Sequence, residues 1–178
     1  MKKVYIILGM HRSGTSALSS LVKRMGIEFG DSLLEASNDN PEGYYENTAV
    51  QAFNESLLIG EGYSWNDTNF TASSLSQERF SYLVGKAEKI LLNEFSNLHE
   101  FALKDPRLCI LFPVWAEALA RIGIEIKIIL CYRHPVEVAK SLKSRNLIGH
   151  SRGLAVWFHY MSNAEVYSRP YDLSLIHI

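Results

Sequence analysis

Residues Ile7–Val22 read ILGMHRSGTSALSSLV. The run Lys3–Leu8 is apolar and β-branched, which predicts a buried strand ending at Gly9, and Gly14–Met25 predicts a helix stopped by Gly26. A strand that turns through small residues straight into a helix is half of a parallel α/β unit, because parallel strands need a crossover between them. The pattern recurs downstream. Asp31–Tyr45 is rich in turn formers and reads as a long loop before a helix over Glu46–Ile59, and a second polar loop, EGYSWNDTNFTASS, occupies 61–74. Ser76–Phe95 places Phe80, Leu83, Val84, Ala87, Ile90, Leu91 and Phe95 on one helical face. A short strand over Phe101–Leu103 runs into KDPR, Lys104–Arg107, and a helix covers Leu108–Arg121. Ile124–Tyr132 is the strongest strand in the chain, and a helix over Pro135–Arg145 follows with proline in its first turn, where a missing N–H costs least. The fold class expected is α/β: a central parallel sheet flanked by helices in three layers, of the P-loop NTPase-like kind.

The chain has 178 residues, 47% of them hydrophobic, enough for one domain with a real core. A net charge of −1 gives no global reason to expect nucleic acid or an anionic membrane as partner, so anion recognition has to be local. No apolar run approaches the ~20 residues of a membrane span, and the N-terminus lacks a signal-peptide pattern, so a cytoplasmic location is expected. Cys109 and Cys131 show neither metal-ligand nor disulfide spacing and read as small core residues. No metal-ligand cluster appears. The final stretch SRPYDLSLIHI enters an apolar run and stops; residues 1–170 are read as the domain and 171–178 as a truncated or non-native tail, with a C-terminal edge strand as the competing reading.

In such a sheet, ligands bind at the carboxyl ends of the strands. Two arginine-bearing segments fall there. In the first, Arg12, Ser13, Gly14, Thr15 and Ser16 form a turn whose N–H groups, hydroxyls and helix dipole suit an anion. GMHRSGTS, residues 9–16, meets the Walker A spacing G-x-x-x-x-G-K-[ST] everywhere except at the lysine, whose place Thr15 takes, which argues against ATP or GTP hydrolysis. In the second, YRHPVEVAKSLKSR, Arg133 ends the strongest strand, with Ser141 and Arg145 eight and twelve residues on and on one helical face. Two guanidiniums and a hydroxyl make a clamp for a dianionic phosphate.

Together these segments resemble the sulfotransferases that use 3′-phosphoadenosine 5′-phosphosulfate, most closely the bacterial sulfotransferase-family proteins and more distantly the tyrosylprotein sulfotransferases. HRSGTS looks like their 5′-phosphosulfate loop and YRHPVEVAKSLKSR like their 3′-phosphate motif; the likeness extends through DNPEGYYEN, KDPR and the helix around Trp157, over roughly Val4–Ser168. The resemblance implies a P-loop-like fold with the nucleotide across the strand ends and no metal. It assigns Arg12, Ser13, Gly14, Thr15 and Ser16 to the 5′-phosphosulfate, and Arg133, Ser141 and Arg145 to the 3′-phosphate. It also gives Lys104 contact with the bridging or sulfonate oxygens.

The acceptor proton needs a base, and Glu46 occupies roughly the place of the family's catalytic glutamate, with Glu42 and His11 as rivals. Asp105 is expected to orient Lys104 or Arg107. Tyr44, Tyr45, Tyr63 and Trp65 lie in the two long loops as candidate acceptor-pocket walls or loop anchors; Trp115 and Trp157 sit on apolar helix faces. The expected partner is a small-molecule or glycan acceptor of unspecified identity. Two other readings stand beside this one: a P-loop-like nucleotide kinase using arginine for lysine, and a non-catalytic nucleotide-binding module.

Overall fold

The computed structural model describes residues 2–37, 40 and 43–178. Strands β1 (Lys3–Leu8), β2 (Glu100–Lys104), β3 (Glu125–Tyr132) and β4 (Asp172–His177) form one sheet in the order β2-β1-β3-β4, with every neighbouring pair parallel. The helices are α1 (Thr15–Arg24), α2 (Thr48–Gly60), α3 (Gln77–Phe95), α4 (Leu108–Arg121), α5 (Pro135–Asn146) and α6 (His150–Ser168). This is the α/β arrangement, a parallel sheet between two layers of helices, that the alternating pattern implies.

Strand alternation divides the core. Val4, Ile6 and Leu8 of β1, Phe101 and Leu103 of β2, and Ile126, Ile128 and Leu130 of β3 enter a large cluster with α2, α3, α4, α5 and α6. Ile7, Ala102 and Cys131 point the other way, into a small cluster with Leu18 and Val22 of α1 and with Phe29. The face predicted for α3 is the buried one, and Trp115 is fully enclosed. Among the described residues, α1 is the helix that covers this second face of the sheet, and it hangs from the loop that precedes it.

One expectation needs correction. The helix expected from Glu46 starts at Thr48, because the Asn47 side chain caps it, accepting from the N–H groups of Ala49 at 3.0 Å and Val50 at 3.2 Å. Glu46 is thereby left outside the helix. At the C-terminal end, Asp172–His177 pairs with β3 from Lys127↔Asp172 to Tyr132↔His177 as an exposed edge strand. Among the described residues, no helix is long and apolar enough to cross a membrane.

Candidate functional site

The register sets Ile7 of β1 beside Lys104 of β2, and Leu8 beside Leu130 of β3, so the carboxyl ends of three strands finish side by side. A cavity of about 410 Å³ opens over them. The loop after β1 contributes His11, Arg12, Gly14, Thr15 and Ser16 to its wall; β2 and its KDPR turn contribute Lys104, Pro106 and Arg107; Arg133 and Arg145 come from beyond β3. Asn40, Tyr44, Glu46 and Gln51 close the remaining side.

The loop after β1 is tightly built. A Cβ on Gly9 would lie 2.6 Å from Thr15 Cγ2 and 3.0 Å from the Cys131 carbonyl, so this position admits no side chain without movement. Gly14 is left-handed, at φ 82°, and so is Arg12, at φ 68°, a conformation that a non-glycine residue adopts at a cost of order 1–3 kcal/mol. Both cysteines hold this loop, a role beyond the core filling expected of them. The Gly9 N–H donates to Cys109 Sγ at 3.1 Å, and the Cys131 thiol donates to the Ser13 carbonyl at 3.1 Å. Burial pushes the Cys109 thiol up to about 12 and the Cys131 thiol up to about 11, so both stay protonated.

Gly14 is the N-cap of α1, so the N–H groups of Thr15 and Ser16 lie in its first turn, where no intrahelical acceptor exists. Ser16 Oγ accepts from Asn40 Nδ2 at 3.1 Å and Lys104 Nζ at 3.4 Å. Ser13 departs from its expected place among the anion-binding hydroxyls. Its Oγ is buried with no partner among the described residues, it is absent from the cavity wall, and its N–H closes a turn onto the Met10 carbonyl at 3.1 Å. The chain reverses at Gly14, and that turns the hydroxyl before it inward.

The second segment meets the first. Arg12 Nε donates to Ser141 Oγ at 2.9 Å, and Arg133 NH1 donates to the Arg12 carbonyl at 3.0 Å, bracing the left-handed residue from its backbone side. Arg145, on the same face of α5 as Ser141, joins Arg12 and Arg133 in the cavity wall. The juxtaposition expected from the eight- and four-residue spacings is present.

Lys104 and Glu46 form a buried ion pair at 2.7 Å. The Lys104 ammonium also donates to the Tyr44 carbonyl at 2.9 Å, so with Ser16 it has three acceptors, one per proton. Burial raises the Glu46 carboxyl above its ordinary range, with Lys104 pulling in the opposite direction. Asp105 is fully buried and orients Arg107 rather than Lys104, accepting from the Arg107 N–H at 2.8 Å and from NH1 at 3.2 and 3.3 Å on its two oxygens. Asn54 of α2 donates to Asp105 at 3.1 Å and accepts from Trp115 Nε1 at 2.8 Å, a polar link between α2, the KDPR turn and α4 that nothing in the sequence signals.

His11 packs on Trp65 with ring centroids 4.6 Å apart and the rings tilted by 56°, and its Nε2 is buried without a partner among the described residues. Burial, then the charges of Arg107, Lys104, Arg145 and Arg12, hold its imidazole neutral, well below the ordinary histidine range. Among the loop aromatics, Tyr44 lines the cavity, whereas Tyr45 anchors against Phe29 and Tyr63 against Phe70. Glu42 lies outside the described residues.

No family model and no curated protein matches the sequence. Among solved structures, the chain is similar to a deoxyadenosine kinase from M. mycoides with bound dATP, at 13% identity and a TM-score of 0.48, covering 98% of this chain and 90% of that one. It is also similar to a candidate kinase from Chloroflexus aurantiacus, at 15% identity and a TM-score of 0.44, covering 99% and 88%. An uncharacterized protein from Eubacterium ventriosum compares at the same identity and score, covering 100% and 89%. Likeness at this level concerns the course of the chain and carries no activity with it.

Proposed function

We propose that the cavity binds 3′-phosphoadenosine 5′-phosphosulfate and that the protein is a sulfotransferase acting on an acceptor hydroxyl. The observation that carries this reading is the direct contact of the two anion segments, Arg12 Nε on Ser141 Oγ at 2.9 Å with Arg133 on the Arg12 carbonyl. One guanidinium stands between a loop suited to a 5′-phosphosulfate and a clamp suited to a 3′-phosphate. ATP has no 3′-phosphate for that clamp to hold.

In the transfer, the acceptor oxygen forms a bond to sulfur as the bond from sulfur to the 5′-phosphate oxygen breaks. The bonding electrons leave with that phosphate, giving adenosine 3′,5′-bisphosphate. Arg12, the N–H groups of Thr15 and Ser16, and the Ser16 hydroxyl receive the phosphosulfate. Lys104 exchanges its 3.4 Å contact with Ser16 for a sulfonate or bridging oxygen and neutralises charge as it develops there. Glu46 binds Lys104 through Oε1, and its other oxygen, without a hydrogen bond among the described residues, takes the acceptor proton. His11, neutral and tilted against the Trp65 ring with its Nε2 buried, is given the part of a wall in this reading, with Glu46 as the base.

Phosphoryl transfer by a P-loop-like nucleotide kinase is the second reading, and the Walker-like spacing of residues 9–16 favours it. Calorimetry with adenosine 3′,5′-bisphosphate, ATP and GTP separates the two. The bisphosphate is expected to bind preferentially and to weaken roughly ten- to a hundredfold in Arg133→Ala and in Ser141→Ala. ATP binding as tight or tighter, indifferent to both substitutions, would sink the sulfotransferase reading in favour of the kinase. Bisphosphate binding with no transfer to any acceptor would favour the non-catalytic module.

A further inference from the structure

Beside the main cavity lies a second of about 90 Å³, lined by Glu55, Leu58, Ile59, Tyr63, Ser64 and Trp65, and Arg107 belongs to the walls of both. Gln51 and Glu55, one helical turn apart on α2 and hydrogen-bonded at 2.8 Å, lead from the first cavity to the second, and Leu58 and Ile59 continue that strip. The sheet order puts the KDPR turn and the Arg133–Arg145 clamp on opposite sides of β1, roughly 10 Å apart. The strip therefore approaches Glu46 from the end of the cavity away from the clamp. The loop carrying Trp65 is fixed in place: Tyr160 donates to the Trp65 carbonyl at 2.6 Å, and Arg152 donates to the Asn66 carbonyl at 2.6 Å.

Charge determines what this strip accepts. Lys104 is set against Glu46 and Arg107 against Asp105, which leaves at most three lining cations among the described residues, Arg12, Arg133 and Arg145, to face the donor. That donor brings about four negative charges, since a phosphomonoester alone carries about −1.5 to −2 at neutral pH. Glu55 adds a carboxylate on the way in. Arg107 is almost wholly buried, its charge is set against Asp105 and its NH2 comes no nearer than 4.0 Å to Glu55, so it offers N–H groups to an uncharged oxygen without a spare positive charge for a carboxylate.

Resting on the sulfuryl-transfer reading, we propose that this α2–Arg107 strip is the acceptor subsite and that it takes an uncharged hydroxyl-bearing ring, such as a neutral sugar, in preference to an acidic one. The hydroxyl gains the sulfuryl group, Glu46 gains its proton, and adenosine 3′,5′-bisphosphate leaves. The test is transfer of labelled sulfate from the donor to paired 4-nitrophenyl glycosides, each neutral sugar set beside its uronic acid. The neutral member is expected to lead by about tenfold or more in kcat/KM, and Glu55→Gln to narrow that gap. Trp65→Ala and Ile59→Ala, both on the wall of the second cavity, should each raise the acceptor KM, by about tenfold for Trp65→Ala, while the Kd for adenosine 3′,5′-bisphosphate stays within about twofold. Three outcomes overturn the proposal: the uronic acids turn over as well or better, both variants leave the acceptor KM unmoved, or a protein that binds the bisphosphate transfers to none of the neutral glycosides. Failure of the unaltered protein to bind the bisphosphate removes the transfer reading itself, and the subsite with it.

Discussion

Lys104 satisfies three acceptors with three protons, so any ligand it serves has to replace one of them; the long contact to Ser16 is the one that yields. Glu46 depends on Lys104 in turn. In Lys104→Met a carboxylate remains buried without its counter-ion, expected to cost about 3–5 kcal/mol in urea unfolding, and the double substitution Lys104→Met with Glu46→Leu should recover most of that. Glu46→Gln should leave bisphosphate affinity within about twofold and lower kcat by about a hundredfold or more, the range of a lost general base. The pH profile carries a sign. Burial raises the Glu46 carboxyl, and under the proposed role its deprotonated form acts as base, so kcat/KM should climb with pH along a limb lying above the ordinary glutamate range. That limb should vanish in Glu46→Gln. A profile with the same limb in the variant would assign it to another group.

At the scale of elements, α5 is held to its place by the absence of a side chain on α6. A Cβ on Gly153 would lie 3.2 Å from both Cα and Cβ of Ala139, two residues before Ser141. Gly153→Val should therefore destabilise by about 1–3 kcal/mol and weaken bisphosphate binding without touching the ligand, by shifting the helix that carries Ser141 and Arg145. Gly85, in the interior of α3 with open space where its Cβ would be, supplies the contrast: Gly85→Ala should stabilise by about 0.5–1 kcal/mol with binding unchanged. Both are read by denaturant melts beside calorimetry. Periodicity and caps made most of these elements legible, and α4 runs over the residues its pattern marks, Leu108–Arg121. The spacing of Arg133, Ser141 and Arg145 likewise foretold the face that meets Arg12. What the sequence withheld depends on the direction a side chain takes once the turn before it is fixed. Ser13 carries the same hydroxyl as Ser16, yet the reversal at Gly14 buries one and offers the other. Cys109 and Cys131 look alike as apolar fillers, and only the arrival of the loop between them reveals a hydrogen-bonding role. The Trp65–His11 ring contact joins two loops with no common period, so no pattern in either one announces it.

For the whole molecule, a ligand that bridges three strand ends should stabilise the folded chain by mass action. Adenosine 3′,5′-bisphosphate at a hundred times its Kd adds about 2.7 kcal/mol, which for a domain of this size raises Tm by about 5–10 °C. Adenosine 5′-phosphosulfate at the same concentration, lacking the 3′-phosphate, should give a distinctly smaller shift. Equal shifts would mean that the clamp around Arg133 takes no part. The contacts that close the site are remote along the chain, 129 residues between Arg12 and Ser141 and 121 between Arg133 and Arg12. The β1–β3 pairing spans as far, from Lys3↔Glu125 to Leu8↔Leu130, so these side-chain contacts can close only once the sheet has brought the strand ends together. Stopped-flow refolding with the bisphosphate present should accordingly show an unchanged folding rate and a slower unfolding one, since the ligand holds what the transition state has yet to make. The brace between Arg133 and the Arg12 carbonyl thus acts on the lifetime of the native state, and a chain that has lost it should reach its fold as quickly and leave it sooner.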